Sequence, residues 1–221
     1  MAETPHGAKL ASVTSFALIV IKKEHTKEKW KSNMIIDNDF APKNLVDEIA
    51  SDILGWKPNF QWAFAPASNR EDQNGHSVLD PNVFEYPMFV SPVGPGHPYR
   101  ARILALFDAF VKKHSLKYRE IIRIKINIVP MAGPESIGKY QMPHVDSDQP
   151  HKVFLYYVND ADGDTYFFKE RFAGEPVTSF TIDQTVTPQA GKAAWFDGDT
   201  FHAPSAPTKS PYRCVINIDF S

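Results

Sequence analysis

The triplet His144-Val145-Asp146 places two side chains that can bind a metal two positions apart. In an extended segment such residues point to the same side of the backbone, so an imidazole nitrogen and a carboxylate oxygen converge on one point. A second histidine follows downstream in Phe201-His202-Ala203-Pro204. Triplets of this form are common by chance, and a solvated loop is their ordinary explanation. His151 is a rival ligand, but we expect it on the surface because it falls outside the two-residue pattern.

Arg213 supplies the context that makes a metal site convincing. A charged side chain within the apolar segment 212–220 is costly unless it meets an anion or reaches solvent. Two histidines and one carboxylate are the ligand set of non-haem Fe(II) oxygenases, which leave positions open for a co-substrate and O₂. The planar guanidinium of arginine matches a carboxylate in a bidentate manner. Together, His144, Asp146, His202 and Arg213 predict a site for Fe(II) and 2-oxoglutarate.

Helices are predicted before this site and strands around it. Apolar residues recur at helical spacing in 42–54 and in about 99–114. From residue 119 onward, β-branched and aromatic runs alternate with turns, which is typical of strands, while 55–98 is rich in proline and is predicted to be loop. The predicted architecture is α+β and mainly β, a sandwich or barrel with helices on one face. The predicted strands are 33–37, 121–129, 153–158, 164–168, 179–182, 184–187, 193–196 and 212–220.

Composition excludes several classes of protein. The chain has 221 residues, of which 43% are hydrophobic and 13% aromatic, so we expect one sizeable domain with a full core rather than disorder. The net charge of −2 gives no support to a dedicated nucleic-acid-binding domain. The single cysteine, Cys214, excludes an intrachain disulfide and a multi-cysteine zinc site. The apolar run 16–21 is too short to cross a bilayer and lacks the flanks of a signal peptide, so we expect a soluble cytoplasmic protein without membrane contact.

Over about 119–221 the chain resembles the prolyl-4-hydroxylase-like branch of the 2-oxoglutarate/Fe(II)-dependent dioxygenases, including phage-encoded members. Before residue 119 only the placement of the helices agrees. Each matching motif is weak alone, and their order and spacing make the combination specific. Arginine at position 213, where some branch members have lysine, counts against close kinship with the collagen-type enzymes. The matching segments are Pro143-His144-Val145-Asp146, Phe154-Leu155-Tyr156-Tyr157-Val158-Asn159, Asp162-Gly163-Asp164-Thr165-Tyr166-Phe167-Phe168, the stretch from Pro188-Gln189-Ala190-Gly191 through Phe196 to His202, and Arg213.

The resemblance implies a double-stranded β-helix, or jelly roll, with helices on its outer face. It implies one dioxygenase domain over 1–221, with helical support at about 34–118 and a catalytic core at about 119–221. It also implies that the metal ligands are His144, Asp146 and His202, and that Arg213 binds the distal carboxylate of 2-oxoglutarate. The tyrosine that the family places near that carboxylate is assigned to Tyr157. Thr165, Asn127 and Asn217 are further candidates for the same pocket, and a hydrogen-bonded buried amide is an equal explanation for the two asparagines.

The implied reaction is hydroxylation of an unactivated C–H bond, with 2-oxoglutarate and O₂ converted to succinate and CO₂. Fe(II) is the implied cofactor, with ascorbate as an additional reductant. A protein or peptide substrate, as in prolyl hydroxylases, is preferred over a small molecule, and the charge does not support a nucleic acid; for a virus-encoded protein the compartment is the host cytoplasm. Loops 65–98, 131–142 and 169–178 are the candidates for substrate contact. The alternatives are a cupin-like metal protein that does not use 2-oxoglutarate and a non-catalytic jelly-roll module.

Overall fold

A computed structural model describes residues 34–55, 59–66 and 80–221. The apolar run 16–21 lies outside the described residues. None of the described helices is long and apolar enough to span a bilayer. The helices are α1 (Lys43–Leu54) and α2 (Arg100–Lys113), and the strands are β1 (Ile35–Asp37), β2 (Ala63–Ala65), β3 (Met88–Pro92), β4 (Ile121–Pro130), β5 (Lys152–Tyr157), β6 (Thr165–Arg171), β7 (Ile182–Val186), β8 (Ala193–Asp197), β9 (Thr200–Pro204) and β10 (Tyr212–Phe220).

The strands form two antiparallel sheets. The larger sheet has the order β1-β8-β5-β10-β4-β3-β2, and the smaller has the order β7-β6-β9. Every neighbouring pair of strands in both sheets is antiparallel. The predicted fold class, α+β and mainly β with two flanking helices, is confirmed.

Both helices pack on the outer face of the larger sheet, and the main hydrophobic core lies between the helices and this sheet. Ile49 and Ile53 of α1 and Phe107 and Phe110 of α2 are buried there. The ring of Phe110 lies edge-on to that of Phe154 in β5, with the centroids 5.0 Å apart. Because successive side chains of a strand point to opposite faces, the outward isoleucines of β4 meet these helices and its intervening residues face the space between the sheets.

The inner face of β4 and β10 carries polar residues in register. Arg123 lies opposite Asp219, and Lys125 lies opposite Asn217. Arg213 is four residues before Asn217 and therefore on the same face, at a distance of about 13 Å along the strand. A stripe of charged and amide side chains thus runs between the two sheets, where apolar residues are the rule.

Three details of the predicted elements were wrong. The stretch 55–98 contains β2 and β3, which are too short and too interrupted by proline to show a strand period. The predicted strands 179–182 and 184–187 are replaced by the single strand β7. Strand β9 was not predicted, because Thr200, His202 and Pro204 break its apolar pattern although all five of its residues are buried.

Candidate active site

The structure brings His144, Asp146 and His202 together between the sheets. His144 and His202 lie opposite each other in an antiparallel bridge, with both backbone N–H···O distances 3.0 Å. One ligand atom from each of the three residues lies within 4.8 Å of the others. Nε2 of His202 is 3.4 Å from Oδ2 of Asp146. The two-residue spacing of the triplet and the bridge to β9 are therefore what assemble the cluster.

The hydrogen bonds of the two imidazoles fix which nitrogen is available to a metal. Nδ1 of His144 is 3.0 Å from the carbonyl oxygen of Met142, and Nδ1 of His202 is 3.2 Å from that of Thr200. A carbonyl oxygen only accepts, so each Nδ1 carries a proton, and in the neutral form of each ring Nε2 has the lone pair that a metal needs. Burial, reinforced by the neighbouring His202, lowers the pKa of His144 to about 3. Neutral imidazoles beside a carboxylate are a donor set that fits Fe(II).

Asp146 is held by Arg123 and Lys125, which were not predicted from the sequence, and by Asn217, which was predicted to line the co-substrate pocket. Its Oδ1 accepts hydrogen bonds of 2.8 Å from Nη2 of Arg123 and from Nζ of Lys125. Its Oδ2 accepts one of 3.0 Å from Nδ2 of Asn217. Burial alone would raise the pKa of Asp146, but Lys125 and the histidines outweigh burial and hold that pKa well below its usual value. Charged residues at alternate positions of an apolar strand, the signal that identified Arg213, could have found Arg123, Lys125 and Asp219.

Arg213 is buried without an anionic partner. Its side chain is 3% exposed, and no ion pair among the described residues includes it. Its Nη2 donates to Oγ1 of Thr165 at 2.6 Å, and its Nε has no hydrogen-bond partner. Burial lowers the pKa of Arg213, because desolvation disfavours the charged form. A buried guanidinium that is paired only with a hydroxyl is a site for an anion.

Tyr157 reaches this end of the site through Thr165. The Tyr157 hydroxyl donates to Thr165 Oγ1 at 2.9 Å, and the Arg213 guanidinium lies 5.7 Å from the centre of the Tyr157 ring. Thr165 Oγ1 thus accepts two hydrogen bonds, which leaves its own proton for an acceptor in the cavity. Tyr157 itself is fully buried, and it packs behind the threonine.

The turn before Thr165 is held in place by hydrogen bonds and by a close backbone contact, and this positions the Thr165 side chain. The carboxylate of Asp162 accepts from the backbone N–H groups of Thr208, Lys209 and Ser210 at 2.8–3.2 Å and from the Thr208 hydroxyl at 2.9 Å. A side chain at Gly163 would place its Cβ 2.6 Å from the backbone oxygen of Ser205, so only glycine allows the two segments to approach this closely. The Asp-Gly-Asp-Thr motif therefore anchors the start of β6 beside β10.

One cavity joins the metal-ligand cluster to Arg213. His144 and His202 border it together with Arg213 and Thr165, and Lys125, Asn127 and Asn217 are also in its wall. Four of the predicted pocket residues line this cavity, while Tyr157 lies behind it. The Oδ1 atoms of Asn127 and Asn217 are buried and have no hydrogen-bond partner within 34–55, 59–66 and 80–221, so neither amide is fully hydrogen-bonded there.

The predicted substrate loops have different positions relative to this cavity. Ala65, Met88 and Val90, from the segment 65–98, form part of its apolar wall, and no residue of 131–142 or 169–178 lines it. His151 is outside the cluster, as expected. It is half-buried, and its ring fills the space beside Gly198.

Comparison with known proteins identifies the fold. No protein-family model matches the chain, and no curated protein matches it in sequence. Among solved structures it is similar to a Pseudomonas putida prolyl-4-hydroxylase, with 16% identity, a TM-score of 0.50 and coverage of 86% of this chain and 92% of that one. It is also similar to a Trichoplax adhaerens prolyl hydroxylase in complex with a peptide fragment of hypoxia inducible factor, with 13% identity, a TM-score of 0.55 and coverage of 85% and 82%.

A third similar structure is the non-heme alpha-ketoglutarate-dependent epimerase SnoN from nogalamycin biosynthesis. The identity is 11%, the TM-score is 0.57, and the alignment covers 86% of this chain and 78% of SnoN. Two of these neighbours are named as prolyl hydroxylases and the third as an epimerase, and all three are similar to this chain in architecture. The chain has the double-stranded β-helix fold of the 2-oxoglutarate/Fe(II)-dependent oxygenases, the superfamily whose prolyl-4-hydroxylase-like branch its motifs resemble.

Proposed function

We propose that the protein is an Fe(II)- and 2-oxoglutarate-dependent dioxygenase that hydroxylates an unactivated C–H bond. One observation carries the proposal: a single cavity is bordered by two histidines that cluster with Asp146, and also by a buried arginine that has no ion-pair partner among the described residues. 2-Oxoglutarate has a group for each of these features, because one end chelates a metal and the other end is a carboxylate. Neither a cupin-like metal protein that does not use 2-oxoglutarate nor a non-catalytic module needs the unpaired arginine.

Each residue has a defined task in this proposal. Nε2 of His144, Nε2 of His202 and a carboxylate oxygen of Asp146 hold Fe(II), which supplies the oxidising chemistry when O₂ and 2-oxoglutarate are bound and yields succinate and CO₂. Arg213 binds the distal carboxylate of 2-oxoglutarate, and the Thr165 hydroxyl donates to the same group. Asn127 and Asn217 line the space between, and the apolar wall excludes water from the reacting region.

The test measures the succinate formed from 2-oxoglutarate, with or without a substrate to hydroxylate, by protein that was purified without oxygen and supplied with Fe(II). We expect succinate formation that requires both Fe(II) and O₂. His144→Ala and His202→Ala should abolish it, because each removes a ligand. His151→Ala is the matched control, since that histidine lies outside the cluster, and it should retain both metal binding and turnover.

Two outcomes would contradict the proposal. Wild-type protein that binds neither Mn(II) nor 2-oxoglutarate would exclude the reaction. Metal binding that survives the loss of either cluster histidine but is lost in His151→Ala would show that the ligands were assigned wrongly.

The substrate is proposed to be a protein or peptide, with proline as the first residue to test. The Trichoplax adhaerens neighbour, a prolyl hydroxylase bound to a peptide, supports this choice. SnoN belongs to nogalamycin biosynthesis, which makes a small molecule the second candidate. Succinate formation is measured with proline-containing peptides and with the same peptides in which alanine replaces proline. This comparison separates a peptide substrate from a small-molecule substrate. A single domain over 1–221, a cytoplasmic location, a phage origin and a need for ascorbate stay predictions.

A further inference from the structure

The two oxygens of the Asp146 carboxylate have different surroundings. Oδ1 is bound by two cations, Arg123 and Lys125, each at 2.8 Å. Oδ2 is the oxygen that faces His202, at 3.4 Å from its Nε2, and it accepts only from the neutral amide of Asn217. The Asp146 side chain is 1% exposed, so bulk water does not compete for either oxygen. The carboxylate is therefore held in one orientation before any metal arrives.

The register of β4 and β10 builds this arrangement. Lys125 lies opposite Asn217 and Arg123 lies opposite Asp219, all on the inner face of the sheet. Arg123 is also 2.5 Å from Oδ2 of Asp219, which gives it a carboxylate of its own. Lys125 forms its ion pair with Asp146 and with no other carboxylate in the described part of the chain. Two buried carboxylates are thus balanced by two cations, Arg123 and Lys125, whose side chains are partly exposed.

We propose that Lys125 and Arg123 are positioning residues that hold Oδ1 of Asp146, so that Oδ2 is presented to the metal beside His202. The inference rests on the proposed function, because it assigns the metal to the same three ligands. A cation near a metal ion repels it, so Lys125 would weaken metal binding if charge were its main effect. The orientation of a buried carboxylate by two charge-assisted hydrogen bonds outweighs that repulsion.

A purely structural role makes a different prediction. In that case the Lys125–Asp146 pair would tie the segment around His144 to β4, and its loss would lower the stability of the protein. The metal affinity of the folded fraction would not change. Metal affinity measured well below the unfolding temperature therefore separates positioning from support.

The experiment is a titration of the full-length, metal-free protein with Mn(II), followed by the electron paramagnetic resonance signal of free Mn(II). Loss of an outer-shell partner typically weakens metal binding by about 10- to 100-fold, and we expect this for Lys125→Met. Lys125→Arg, which keeps a charged donor, should bind Mn(II) within about threefold of wild type. If Lys125→Met does not fold by circular dichroism, Lys125→Gln replaces it, because its amide is uncharged and one bond shorter, and we expect at least a fivefold loss.

Lys152→Met is the matched control. Lys152 forms a pair of 2.6 Å with Asp197 on the neighbouring strands β5 and β8, away from the cavity, and its loss should leave Mn(II) binding unchanged. A Lys125→Met variant, or the Lys125→Gln variant that replaces it, that folds and binds Mn(II) with less than a fivefold loss, or more tightly than wild type, would overturn the inference. Failure of the wild-type protein to bind Mn(II), or binding that survives His144→Ala, would instead overturn the proposed function.

Discussion

Replacement of Arg213 by methionine should separate co-substrate binding from folding. Loss of one partner of a buried charge pair costs about 2–5 kcal/mol, which corresponds to about 30- to 4,000-fold weaker binding of 2-oxoglutarate. Stability should change much less. The variant loses the hydrogen bond to Thr165, worth about 1.5–3 kcal/mol, but it no longer buries a guanidinium without a counter-ion, whose cost is several kcal/mol. The two effects oppose each other, so the melting temperature of the metal-free protein should move by less than about 6 °C.

The assay is calorimetric titration of Mn(II)-loaded protein with 2-oxoglutarate, alongside thermal unfolding without metal. Arg171→Met is the matched control, because Arg171 also contacts a threonine hydroxyl, that of Thr200, on a neighbouring strand. It has a carboxylate partner in Asp199 and is outside the cavity, so its loss should not affect 2-oxoglutarate binding. An Arg213 variant with unchanged 2-oxoglutarate affinity and a melting temperature lowered by more than about 10 °C would refute the reasoning and make Arg213 a structural residue.

Three other predictions follow from the same contacts. Thr165→Val should weaken 2-oxoglutarate binding by about 10- to 150-fold and Tyr157→Phe by less than about tenfold, because the tyrosine acts through the threonine; equal losses in the same titration would contradict this order. As the pH falls below 6.5, the free energy of unfolding of the metal-free protein should fall by up to about 1.4 kcal/mol per pH unit. The reason is that His144 becomes protonated in the unfolded chain but not in the folded chain, where its pKa is about 3. In urea unfolding, His144→Gln should show a smaller slope of the free energy of unfolding against pH. Burial raises the pKa of the Cys214 thiol, so a thiol reagent should label native protein only at its unfolding rate, and rapid labelling would contradict the buried assignment.

The cluster of metal-binding residues could be predicted because its chemistry depends on local spacing. His144 and Asp146 are two residues apart in an extended segment, so their side chains point to the same side. This local geometry does not depend on the rest of the fold. Arg213 could be predicted because a charged side chain in an apolar strand is costly unless it meets an anion or reaches solvent. The two helices followed from their apolar period, which is the most reliable signal in a single sequence.

The surroundings of Asp146 could not be predicted in the same way. Lys125 and Asn217 meet only because β4 and β10 pair in one particular register, and a shift of one strand by one residue would place the two side chains on opposite faces of the sheet. The position of Tyr157 behind Thr165 depends on the same kind of tertiary information, since alternation fixes its face but not its depth. The short strand β2 has too few residues to show a period, and in β9 the residues Thr200, His202 and Pro204 interrupt the apolar strand pattern.

The proposed function requires one cavity that holds a metal at three side chains and 2-oxoglutarate between that metal and Arg213. The decisive measurement is anomalous diffraction from a crystal grown without oxygen, in the presence of Mn(II) and 2-oxoglutarate. We expect a single Mn(II) peak bound by Nε2 of His144, Nε2 of His202 and Oδ2 of Asp146, with the distal carboxylate of 2-oxoglutarate against Arg213 and Thr165. A peak at another site, or 2-oxoglutarate bound away from Arg213, would contradict it.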